Sequence, residues 1–160
     1  MSRMSTHWAW VRRATAAAAA IFALSFSAHD AAAQQSPLVG YWECTGQTNG
    51  VTFFSTFDYR ANGTYVSTQR MSVGADLLEG GGNGRWRLDG DVLFDTKEHA
   101  TMDRFVRNGV EVLSSDPEWQ QLYRQSQANI GTTSSGPIIL RGDALSSGMY
   151  TCHRQRRLAR

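Results

Sequence analysis

Polar and apolar residues alternate along this chain. In the first ordered-looking segment Leu38, Gly40, Trp42 and Cys44 fall on one side, and Tyr41, Glu43 and Thr45 on the other. A period of two is that of a β-strand, whose successive side chains point to opposite faces. Cys44 therefore faces inward with Trp42. The period returns over 51–59, where Val51, Phe53, Phe57 and Tyr59 share a face, and again at Trp86 and Leu88 of RWRLDG. Between these segments stand Asn62-Gly63, Asp89-Gly90 and Asn108-Gly109. Glycine supplies the positive φ of a tight hairpin loop, so each pair predicts two antiparallel strands joined by a short turn. The stretches PIILRGDAL and GMYTCHR bring the expected count to eight or nine short strands.

One segment breaks the alternation. In Ser114–Gly131, Asp116 is placed to cap a helix, Pro117 suits its first position, Glu118 complements its dipole and Gly131 ends it. Trp119, Leu122, Tyr123, Ser126 and Ile130 form one stripe at helical spacing, short enough to dock on one edge or mouth of a sheet. The expected fold is mainly β: a single antiparallel, eight- to nine-stranded up-and-down barrel or strongly curled sheet, with one helix near residues 117–129. The glycine-rich Glu79–Gly84 reads as a mobile loop. The residues after Gly84 alternate instead of starting a helix, which excludes a phosphate-cradling loop.

The N-terminus changes the compartment. Arg12 and Arg13 precede the apolar run Ala14–Ala28, and Ala31 and Ala33 sit at signal-peptidase spacing. Residues 1–33 are expected to be a cleaved signal peptide, the run being shorter than the roughly 20 residues of a spanning helix. Gln34 comes next, so no lipidated cysteine begins the mature chain. A twin-arginine reading of Arg12-Arg13 lacks the apolar and basic flank that motif needs. The expected product is residues 34–160, a periplasmic or secreted single domain with no transmembrane segment. Of the 16 basic and 14 acidic residues, 13 of each remain after residue 33. Arg154, Arg156, Arg157 and Arg160 form a basic tail over 154–160, leaving the body acidic. A nucleic-acid partner needs a broad basic face, so none is expected.

Export also bears on the two cysteines. A chain with only Cys44 and Cys152 in an oxidising compartment most simply makes one disulfide, two buried thiols being the alternative. Bridging requires Cα atoms within about 7 Å and therefore neighbouring first and last strands. No Cys-x-x-Cys redox motif is present.

Gly40-Tyr41-Trp42 on the first strand, the meander of hairpins and Cys152-His153-Arg154 on the last strand resemble the lipocalin and related calycin barrels. The resemblance implies that Arg154 stacks over Trp42, a cation–π contact of roughly 0.5–2 kcal/mol, and with Gly40 closes the narrow end of the barrel. The chain is shorter than a usual lipocalin, lacks a Thr-Asp-Tyr motif and places its helix before the last two strands.

Candidate chemistry is sparse. DTKEHATMD holds Asp95, Glu98, His99 and Asp103, and reads as a hairpin tip or loop. On a regular strand Asp95 and His99 would share a face, at best two ligands where zinc wants three or four, so no metal or cofactor is expected. Asn62-Gly63-Thr64 matches a glycosylation acceptor, yet the hairpin accounts for the same residues. His99 and His153 are the histidines beyond the signal, and no local signature joins either to a nucleophile. Arg85 and Arg87 alternate with Trp86 as an outer charged face. These features predict a non-enzymatic exported protein binding a small apolar or amphipathic ligand among Trp42, Phe53, Phe57, Trp86 and Phe94. A protein-interaction module using Leu77, Leu78 and the Asp76–Gly82 loop or the arginine tail is the alternative. A hydrolase or lyase in the barrel mouth is more remote.

Overall fold

The computed structural model describes residues 36–148 and 150–156; the signal segment 1–33 and Arg157–Arg160 of the basic tail lie outside the described residues. Ten strands run in chain order: β1 (Gly40–Thr48), β2 (Val51–Tyr59), β3 (Thr64–Val73), β4 (Asp76–Asp89), β5 (Val92–Arg107), β6 (Val110–Glu111), β7 (Thr133–Pro137), β8 (Ile139–Arg141), β9 (Ala144–Ser147) and β10 (Tyr150–Gln155). Among the described residues the one helix, α1 (Pro117–Gln127), falls between β6 and β7. All pairings are antiparallel, and the sheet order is β6-β5-β4-β3-β2-β1-β10-β9-β8, with β7 also on β5.

The mainly β, up-and-down arrangement with one helix matches the alternation. The barrel or strongly curled sheet is corrected to an open up-and-down sheet. No ladder joins the two ends of that order, which are β6, of two residues, and β8, of three. The edge of β5 is taken by β7, which pairs with Val92–Thr96, and by β6 at Val106 and Arg107, and α1 also contacts β5. Only Ile138 separates β7 from β8; it is buried, and its N–H donates to the Asp91 carbonyl at 2.7 Å.

Turn chemistry explains the hairpins. Asn108 (φ 50°) and Gly109 (φ 80°) join β5 to β6, and Asn49 (φ 49°) with Gly50 (φ 78°) joins β1 to β2. Positive φ at both central residues matches the right-handed twist of the flanking strands. The second of these turns is one that the sequence reading does not mark, although it carries the same Asn-Gly pair as the first.

Glu79–Gly84 is not a loop. It lies inside the 14-residue β4, paired with β3 on one side and β5 on the other. Its glycines are required because β5 comes too close for side chains. A Cβ on Gly80, Gly82 or Gly84 would lie 2.3, 2.4 or 2.1 Å from the carbonyl oxygens of Thr101, His99 or Thr96. DTKEHATMD likewise belongs to the interior of β5, not to a hairpin tip. Two β-bulges interrupt its pairing with β4, opposite Glu79/Gly80 and Asn83/Gly84, where Asp103 and Glu98 are the extra residues.

The core gathers at one end of the inner face. Leu38, Trp42, Tyr59, Tyr65, Trp86, Ile138, Leu145 and the two cysteines form it. Helix α1 begins as expected, with the Asp116 carboxylate accepting from Glu118 N at 2.8 Å, and ends at Ala128. None of its residues is buried, so it packs against β5 as an edge cover.

Candidate functional site

Two ends of the inner face differ in packing. At the first, Trp42 is fully buried, and its indole N–H donates to the Leu38 carbonyl at 2.8 Å. The Arg154 guanidinium carbon lies 4.5 Å from the Trp42 ring centroid. Its Nη1 donates to Val39 O at 2.6 Å, its Nη2 to Pro37 O, and Nε lies 3.2 Å from Asp143 Oδ1. Gly40 permits this arrangement: it adopts φ 143°, and a Cβ there would sit 3.2 Å from Arg154 Nη1. Beside it, Cys44 and Cys152 pair in register and form a disulfide, with Cα atoms 3.9 Å apart.

The expected ligand residues divide. Trp42 and Trp86 are core. Trp86 donates to Arg60 O and Thr64 O at 3.2 and 3.0 Å, pinning the β2–β3 hairpin. Phe57 stacks on Tyr59 at 5.6 Å, and Tyr59 meets Trp86 edge-on at 5.5 Å, so these rings fill space with one another. Burial is the main reason the Tyr59 and Tyr65 hydroxyls hold their protons well above the usual tyrosine range, with the Asp95 carboxylate adding to it. Phe94 leaves the set. It pairs with Arg87 on the opposite face, where the guanidinium carbon lies 3.6 Å above its ring. Phe53 alone stands away from the packed end, half-buried against Tyr150 at 5.9 Å.

Beyond Trp86 the inner face opens. The residues of β4 between Leu78 and Trp86 that face inward are Gly80, Gly82 and Gly84, and opposite them on β5 stand Met102, Ala100 and Lys97. A cleft of about 80 Å³ lies here, lined by Gln69, Met71, Leu78, Lys97, Met102 and Ser126 among others. Ser126 comes from α1, which is tied to the same place by Gln127 Nε2 donating to Ala100 O at 3.0 Å. Lys97, the single lysine of the chain, is half-buried, and neither its ammonium nor the Gln69 amide has a partner among the described residues. Glu79 at the rim is held by Arg70 and Arg104, each 3.5 Å away, and Asp95 accepts from Ser134 at 2.8 Å. Sequence reasoning missed this site because it placed the glycines in a loop. A run of glycines flanked by strand-forming residues was the available signal.

Other candidates disperse. The Glu98 bulge puts Asp95 on the Trp86 face and His99, opposite Asn83, on the other, so the expected shared face is corrected. Glu98 pairs with Arg85 at 2.7 Å, and His99 and His153 are exposed. No group of three His, Cys, Asp or Glu side chains is placed to hold a metal among the described residues. Leu77 and Leu78 are partly buried strand residues and not an exposed loop. An open groove of about 410 Å³ on the outer face is larger but shallow, lined by Thr52, Phe54, Arg70 and Ser72, and Arg70 is already paired with Glu79. No helix among the described residues is long and apolar enough to cross a membrane. Set against known proteins, the chain matches no family model and no curated protein, so the geometry alone bears on its function.

Proposed function

We propose that this chain is an exported, non-enzymatic β protein that binds a small apolar or amphipathic molecule on its inner face. The observation that carries the reading is the contrast between the two ends of that face. One is filled by Trp42, Tyr59, Tyr65 and Trp86. The other is a cleft with methionine and leucine walls, whose floor is glycine. Methionine walls adapt to irregular apolar shapes, and a concave apolar site with a few polar groups is the common form of a small-molecule site. The buried disulfide supports export, because such bonds persist in oxidising compartments. The likeness to lipocalin barrels enters only through Gly40, Trp42 and Arg154.

This reading moves the ligand from the aromatic set to the cleft. Native mass spectrometry of the oxidised protein, purified without denaturant from an oxidising compartment, tests it. The expected result is a reproducible extra mass that disappears on denaturation and is lost from a Leu78→Asp variant. A bare mass, together with no chemical-shift change at Met71 or Met102 on titration with short-chain amphiphiles, would count against it.

A further inference from the structure

Two polar groups face the cleft without partners among the described residues. Lys97 reaches it from β5 and Gln69 from β3, and between them runs β4, whose inward positions 80, 82 and 84 are glycine. The glycines leave no side chain between the two heads. A half-buried ammonium draws an anion more strongly than an exposed one, because less water screens it. A charge-assisted hydrogen bond is roughly twice as strong as a neutral one. The nearby carboxylates do not serve this cation: Glu79 is held by Arg70 and Arg104, and Asp95 lies toward Trp86 and accepts from Ser134. The apolar walls Met71, Leu78 and Met102 adjoin the same space.

Resting on the proposed ligand-binding reading, we infer that the bound molecule is a singly charged amphiphile, its anionic head held by Lys97 and Gln69 and its short apolar chain lying over Met71, Leu78 and Met102. A volume of about 80 Å³ takes a head group of a few heavy atoms and leaves the rest of the chain along the half-open face. The single lysine thus selects charge, and the wall selects apolar length.

Titration of the full, oxidised chain with octanoate, octanol and acetate, followed by isothermal calorimetry and by chemical shifts of Gln69 and Lys97, tests the inference. Octanoate is expected to bind at least tenfold more tightly than octanol. Lys97→Met should lose that tenfold while leaving octanol binding and the melting temperature unchanged, and Lys97→Arg should restore most of it. Gln69→Leu should weaken octanoate by a smaller factor. Equal binding of octanoate and octanol, indifferent to Lys97→Met, would overturn the anionic head and leave the ligand reading standing. Acetate binding as tightly as octanoate would keep the anion site and overturn its apolar wall. Binding of none of the three would overturn both.

Discussion

A methyl group on Gly82 would sit 2.4 Å from the His99 carbonyl oxygen, whereas one on Gly136 would meet nothing within 4 Å. Both residues lie in strands, so the two substitutions separate steric fit from chain entropy. Gly82→Ala is expected to cost about 1–3 kcal/mol, as overpacking does when backbone must move. Gly136→Ala should be neutral or stabilise by about 0.4–1 kcal/mol, through the unfolded chain. Urea unfolding midpoints compare them directly. Tyr65 carries a different residue-scale consequence. Burial, with smaller help from Asp95 and Glu98, pushes its hydroxyl up to about 12 from the ordinary 10. Below pH 10 both folded and unfolded chains keep the proton, and its contribution to stability is fully present. Between pH 10 and 12 only the unfolded chain releases it, so stability falls as pH rises. Unfolding measured from pH 9 to 12 should show this decline, and Tyr65→Phe should make it shallower, the part due to the buried Tyr59 hydroxyl remaining.

At the scale of elements, β4 and β5 separate what the sequence makes legible from what it hides. Strands with a clean alternation, such as β1 and β2, were readable because one face is buried and each side chain reports its side. Helix α1 was readable because Asp116 and Pro117 mark its start chemically. The long β4–β5 pair was not, because two bulges in β5 reset the alternation and glycines replace the side chains that would report a face. A glycine run signals a loop when read alone, and a close backbone approach only when the neighbouring strand is known. The same blind spot hid Lys97, Gln69 and the cleft, and it put Asp95 and His99 on one face. Phe94 was misplaced by a related cause: it is next in sequence to the inward Leu93, so choosing the larger of two adjacent apolar residues chose the outer face.

The whole molecule is tied by one bond between strands at opposite ends of the chain. Cys44 and Cys152 are 108 residues apart and adjacent in the middle of the sheet. In the chain-entropy model, closing a loop of about 100 residues stabilises by about 4.7 kcal/mol, and about 2–4 kcal/mol is the usual measured range. Cys44→Ala with Cys152→Ala, or reduction of the intact protein, should lower the free energy of unfolding by an amount in that range. Chemical denaturation with and without reductant reads the difference, and an unchanged midpoint would remove the bond from the account of stability. That placement also sets an order of events during synthesis. β1 can pair with β2 as soon as both have emerged, but its second neighbour, β10, is made last. Until then the strand that will lie at the centre of the finished sheet is an open edge, offering unpaired N–H and C=O groups to any passing chain. Pairing of the first strand with the last, and the disulfide that joins them, is therefore the final act of building this sheet.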